Sequence, residues 1–181
     1  MILQTKSQVW VETMIYLLIG IAVITAVLAF ALPKINEMKD KTIVDQSINM
    51  LNQLDAKIVE VQETGQGNVR NVELQMTNGE IILDYYADTI TYELEQSKYQ
   101  YSEPNQVVEI DKIKVLTTPL TEDTYRISAM LNYSLSTNLT DYKNSLSPIK
   151  LVKAPTPYKL EIRNNDTETS DNRYRVFITI K

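Results

Sequence analysis

The chain has 181 residues, 44% hydrophobic and 23% charged, which is enough apolar content for one folded domain with an appendage and too much for a disordered chain. Its net charge of −5 and pI near 4.9 leave it without the clustered Lys and Arg that phosphate neutralisation demands, so nucleic acid is not an expected partner. Cysteine and histidine are both absent, which removes disulfides, thiol nucleophiles, Cys/His zinc sites and the usual general base near pH 7; no enzymatic activity, cofactor or metal is expected.

The first predicted element is the stretch Gln8–Leu32, QVWVETMIYLLIGIAVITAVLAFAL, which follows the polar start MILQTKS. From Met14 to Leu32 run nineteen residues without a charge. As a helix they rise about 28 Å, close to the ~30 Å hydrocarbon layer of a bilayer. Trp10 and Tyr16 stand towards its start, where interfacial aromatics are favoured. Thr25 can satisfy its hydroxyl on the carbonyl one turn back. Glu12 is the one acid of this stretch. A carboxylate costs about 2.5–3.5 kcal/mol at the centre of a membrane helix and less near the surface, unless a cation meets it. An amino terminus made by cutting just before Gln8 would meet it, above all one belonging to a neighbouring copy.

The segment Lys6-Ser7-Gln8-Val9-Trp10-Val11-Glu12, followed by a long apolar helix, resembles the class III leader of archaeal type IV pilins. In that family a prepilin peptidase cuts on the cytoplasmic side and leaves the apolar helix on the product. The family pattern has a basic residue before the cut, a small residue at it, often Gln after it, and Glu four residues further on. Lys6, Ser7, Gln8 and Glu12 occupy those places, with Ser7 where Gly is commoner. The resemblance covers about residues 1–60 and says nothing of the head. It implies a membrane protein with its head outside, cut between Ser7 and Gln8 and assembled into a cell-surface filament. There Gln8–Leu32 packs against identical helices, and Glu12 pairs with the amino terminus of another copy. The implied partners are copies of the chain in a helical homopolymer, the prepilin peptidase and pilus assembly machinery, and membrane lipid before assembly. The implied roles are surface attachment and cell–cell contact, and a filament-forming archaellin is a close cousin.

Other readings use the same apolar run. One is an uncleaved signal anchor holding a monomeric extracellular binding protein. Another is a secretory signal cut after Ala29-Phe30-Ala31, although the run exceeds the usual length of about 7–15 residues. A buried helix of a soluble protein does not suit so long an unbroken run. Lys34, Lys39 and Lys41 beyond the run, against Lys6 before it, favour the opposite orientation on a simple basic-residue count. An acidic head with sugar acceptor sites favours the head outside.

Pro33 should kink the helix without ending it. Past it, Ile35, Met38, Val44, Ile48, Leu51, Leu54, Ile58 and Val61 recur as one apolar stripe, an amphipathic stalk. The expected organisation is a leader over 1–7, a long helix over 8–62 (apolar 14–32, amphipathic 33–62) and a β-rich extracellular head over 63–181. The fold class is α+β.

Gly65-Gln66-Gly67-Asn68 reads as a turn. After it Val72, Leu74 and Met76 alternate, Asn78-Gly79 suits a type I′ turn, and Ile81, Leu83 and Tyr85 alternate back, which predicts a hairpin. Further strands are expected over Thr89–Leu94, Tyr99–Tyr101, Val107–Leu116 (with a break at Asp111), Thr124–Leu135, Ile149–Val152, Tyr158–Arg163 and Arg173–Ile180, together an antiparallel sandwich-like head. Asp84 and Asp88 read as solvated carboxylates. The loop NNDTETSDN offers oxygen ligands but lacks the glycine of an EF-hand. Eleven tyrosines against two phenylalanines suit half-buried strands with wet hydroxyls. Three N-x-S/T sequons begin at Asn132, Asn138 and Asn165. Asn138 and Asn165 fall in predicted loops and are the favoured N-glycosylation acceptors; Asn132 falls in a predicted strand.

Overall fold

The computed structural model describes residues 3–141, 147–166 and 173–181, with the side chains of 3–8 and 166 outside that description. The chain divides into two compact units, Met1–Lys39 and Asp40–Lys181. Helix α1, Leu3–Glu63, contributes to both. Its backbone is helical five residues ahead of the expected start because Leu3-Gln4-Thr5-Lys6-Ser7 holds no Gly or Pro to stop it. Pro33 lies inside the helix, which continues beyond it. The end is built by Thr64 and Gly65. Their amides donate to Glu60 O (3.1 Å) and Gln62 O (3.4 Å), and Gly65 takes φ +86°, the left-handed conformation in which glycine closes helices.

Within Asp40–Lys181 the helix is amphipathic. Ile43, Val44, Ile48, Leu51, Leu54, Ile58 and Val61 form one buried stripe. Ile35 and Met38, expected to extend it, are instead 57% and 67% exposed; burial of the stripe begins only at Ile43, inside the second unit.

The strands are β1 Val69–Leu74, β2 Glu80–Asp84, β3 Thr89–Ser97, β4 Val107–Ile110, β5 Ile113–Thr121, β6 Thr124–Asn132, β7 Thr137–Thr140, β8 Ile149–Val152, β9 Tyr158–Asp166 and β10 Tyr174–Ile180. They form a four-stranded sheet in the order β1-β9-β10-β7 and a six-stranded sheet in the order β4-β5-β6-β3-β2-β8. Every pairing is antiparallel except β7 with β10. The fold is therefore α+β: a long N-terminal helix followed by a β-rich head. Alternation places Ile81 and Leu83 of β2, Ile90, Tyr92 and Leu94 of β3, and Leu160 and Ile162 of β9 in one core with the helical stripe.

Several local expectations are corrected. The Asn78-Gly79 hairpin does not form: β1 pairs with β9 in the small sheet, and β2 pairs with β3 and β8 in the large one. A type I′ turn needs φ > 0 at both central residues, and here Gly79 has it (+80°) while Asn78 does not. Glycine is required at 79 for another reason. A Cβ there would lie 2.5 Å from the Tyr92 hydroxyl, which donates to Asn78 O at 2.9 Å. Tyr99–Tyr101 is a loop and not a strand, pinned by the Tyr99 amide donating to Ser97 Oγ (3.0 Å) after Gln96 turns the chain at φ +57°. The break expected at Asp111 in the Val107–Leu116 stretch is there, at φ +53°, and divides it into β4 and β5. The strand expected to reach Leu135 stops at Asn132, and β7 forms where a loop was expected.

Candidate functional site

The first unit presents an unusual surface. Between Val9 and Leu32, sixteen large hydrophobic side chains are exposed, among them Trp10, Leu17, Leu18, Ile24 and Phe30. Residues at all helical angles are apolar, so there is no polar face to turn towards water. Among the described residues this is the one helix long and apolar enough to cross a membrane. Removing half of each side chain's area from water is worth about 1 kcal/mol, so sequestering the set is worth on the order of 10–20 kcal/mol. Exposed apolar surface of this extent marks a place where lipid or protein is met.

Polar side chains in this segment are few, and the hydroxyls among them are occupied. Thr25 Oγ1 donates to Ile21 O at 2.8 Å, as expected, and Thr13 Oγ1 donates to Val9 O at 2.9 Å. Glu12 is exposed, and its Oε1 accepts a hydrogen bond from the Tyr16 hydroxyl at 3.3 Å. Lys6, Ser7 and Gln8 lie on the same helical backbone, upstream of Glu12; their side chains lie outside the described residues.

The sequons fall differently from expectation. Asn138 sits in β7 and not in a loop, and Thr140 of its sequon is buried. Asn165 lies in β9 and is exposed, while Thr167 of its sequon is outside the described residues. Asn132 is the last residue of β6 and is exposed, and its Oδ1 accepts the Ser134 amide at 2.9 Å in an Asx turn.

In the head, Asp84 and Asp88 part company. Asp84 Oδ1 accepts the amides of Tyr86 (2.9 Å) and Ala87 (3.0 Å), capping the β2–β3 turn. Asp88 is not solvated: it is 6% exposed, at φ +53°. Its Oδ1 accepts the Leu139 amide (2.8 Å), its Oδ2 accepts Arg173 Nη1 (2.8 Å), and its carbonyl accepts the Tyr133 amide (2.9 Å). One carboxylate thus ties a turn of the large sheet to β7 and to the start of β10 in the small sheet. The Thr137 amide donates to Tyr133 O (2.9 Å), so two amides of edge strand β7 are spent inside the chain.

The tyrosines divide in favour of packing. Tyr133 and Tyr85 are buried with hydroxyls donating to Asp55 Oδ1 (2.8 Å) and Ile178 O (3.0 Å); burial pushes the pKa of both well above the usual phenol value. Among the described tyrosines of the head, Tyr86 (81%) and Tyr174 (41%) are exposed. An open cavity of about 370 Å³ is lined by Asn78, Glu80, Glu93, Glu95 and Lys150, but Lys150 already pairs with Glu80 at 2.7 Å. Among the described residues no group of three acidic side chains is placed to hold a metal; the rest of the NNDTETSDN loop lies outside them.

Compared with protein-family models, curated proteins and solved structures, the chain finds no match in any of the three.

Proposed function

We propose that the chain is a structural subunit of an archaeal type IV pilus-like surface filament. The single observation that carries this reading is the helix surface from Val9 to Leu32, apolar at every angle and exposed, joined to a head that has its own core. Lipid surrounds that surface first, with the head outside the cell. A prepilin peptidase recognising Lys6, Ser7, Gln8 and Glu12 then removes residues 1–7, and identical helices replace lipid around Gln8–Leu32. Lipid tails are as apolar as leucine, so burial alone does not favour helix over lipid. Packing and one polar contact must decide it, and Glu12 paired with the new amino terminus of a neighbour supplies that contact. The work is mechanical, and no catalysis, metal or cofactor is required. Surface attachment and cell–cell contact are the roles such a filament serves.

Imaging and intact mass of purified surface material test this reading. Filaments built of a chain starting at Gln8 are expected. A dispersed protein still carrying Met1–Ser7 would overturn the proposal in favour of a monomeric membrane-anchored binding protein. Glu12→Ala is expected to leave membrane insertion intact and to reduce filament yield at least tenfold, the loss of one charge-assisted hydrogen bond of roughly 1.5–3 kcal/mol.

A further inference from the structure

Three side chains between Val9 and Leu32 carry a hydroxyl: Thr13, Tyr16 and Thr25. Both threonines bond back to the carbonyl four residues earlier, the ordinary resort of a hydroxyl on an apolar helix. Tyr16 differs. Its hydroxyl stands at the end of a rigid ring, out of reach of its own helix backbone, and it donates to the carboxylate of Glu12. Helical side chains lean towards the N terminus, so a residue four positions later is the one that reaches back over Glu12.

We propose that Tyr16 is the positioning residue for Glu12: it holds Oε1 and leaves Oε2 open to the amino terminus of a second copy. The inference rests on the filament reading above. A glutamate with three rotatable bonds sweeps a wide volume, and directing it costs side-chain entropy. The Tyr16 bond fixes that direction before a neighbour arrives. Both residues are exposed, Tyr16 by 66%, so another chain can reach them. At 3.3 Å the bond is long and therefore weak. An ammonium group forms the shorter and stronger bond and takes the free oxygen without displacing the tyrosine. Between Val9 and Leu32 there is no other charged side chain to compete.

The test uses filaments of the full processed chain. An apolar carbodiimide converts a paired carboxyl and amine into an amide, and mass spectrometry counts the link between Glu12 and the amino terminus of another copy. The link is expected in wild-type filaments. Tyr16→Phe keeps the ring and its packing, and is expected to lower the yield of the link roughly threefold to tenfold, the worth of a weak hydrogen bond to a charged group. Thr13→Val, which removes a backbone-bonded hydroxyl one residue from Glu12, is expected to leave the yield unchanged. Equal yields from Tyr16→Phe and wild type would overturn the positioning role while leaving the Glu12 pairing intact. An equal loss in Thr13→Val would overturn it too, since any lost hydroxyl would then suffice. Absence of the link from wild-type filaments would refute the pairing itself, and this inference with it.

Discussion

The helix before Lys39 and the helix after Asp40 are the same secondary structure put to opposite uses. From Val9 to Leu32 apolar side chains surround the axis and are exposed; from Ile43 to Val61 they are confined to one stripe, and that stripe is buried. Helix propensity does not distinguish the two, since both mix good helix formers such as Leu and Ala with β-branched Ile and Val. The distribution of apolar residues around the circumference does. A stripe can be satisfied by one neighbouring layer of the same chain, whereas a full cylinder needs a solvent or partners on every side.

The largest effects should come from exchanging these roles. Leu54→Ala in the buried stripe is expected to destabilise the head by about 2–5 kcal/mol, read as a lower melting temperature. Leu18→Ala, a similar truncation on the exposed cylinder, should leave that melting temperature unchanged. If both substitutions moved it equally, the contrast between the two stretches would be wrong. Next in size, Leu18→Lys, which lies off the centre of the run, should cost less than the ~2.5–3.5 kcal/mol of a central charge, measured as protein lost from the carbonate-resistant membrane fraction, with the head still melting normally.

Smaller effects sharpen how the second stretch is held. Tyr133 donates to Asp55 on the helix, and Asp55 also pairs with Lys112 at 3.0 Å. Tyr133→Phe is expected to cost about 1 kcal/mol in urea unfolding at neutral pH. Burial raises the folded pKa of Tyr133, so above an unfolded pKa of about 10 the unfolded chain releases a proton that the folded chain keeps. Stability is therefore full below that pH and falls as pH rises past it. The Phe variant should show a shallower alkaline decline. Of the same size, Gly65→Ala should cost about 1 kcal/mol, because φ +86° is strained for alanine although nothing stands within 4 Å of the added Cβ.

The helix and most strands were legible because period is a local property: Ile81 and Leu83, or Ile90, Tyr92 and Leu94, announce one buried face each. Pairing is not local. Asn78-Gly79 carries the residues of a tight turn, yet Leu74 and Glu80 on either side of it belong to different sheets. β7 was missed because Thr137-Asn138-Leu139-Thr140 is short and polar. What recruits it is the parallel partner β10 and the carboxylate of Asp88, both remote in the chain. The burial of Asp88 is hidden from the sequence for the same reason, since it depends on Arg173 arriving from the other sheet. At the candidate site the residues Lys6, Ser7, Gln8 and Glu12 stood out by type and order, whereas the contact from Tyr16 to Glu12 needed the direction of helical side chains to be seen.

The spent amides of β7 have a consequence for crowding. A sheet margin with free donors is an invitation to any identical strand nearby. With Leu139 and Thr137 already committed to Asp88 and Tyr133, that margin offers a neighbour little to zip onto. Of the four strands that end the two sheets, β7 is thus one whose outward amides are already taken.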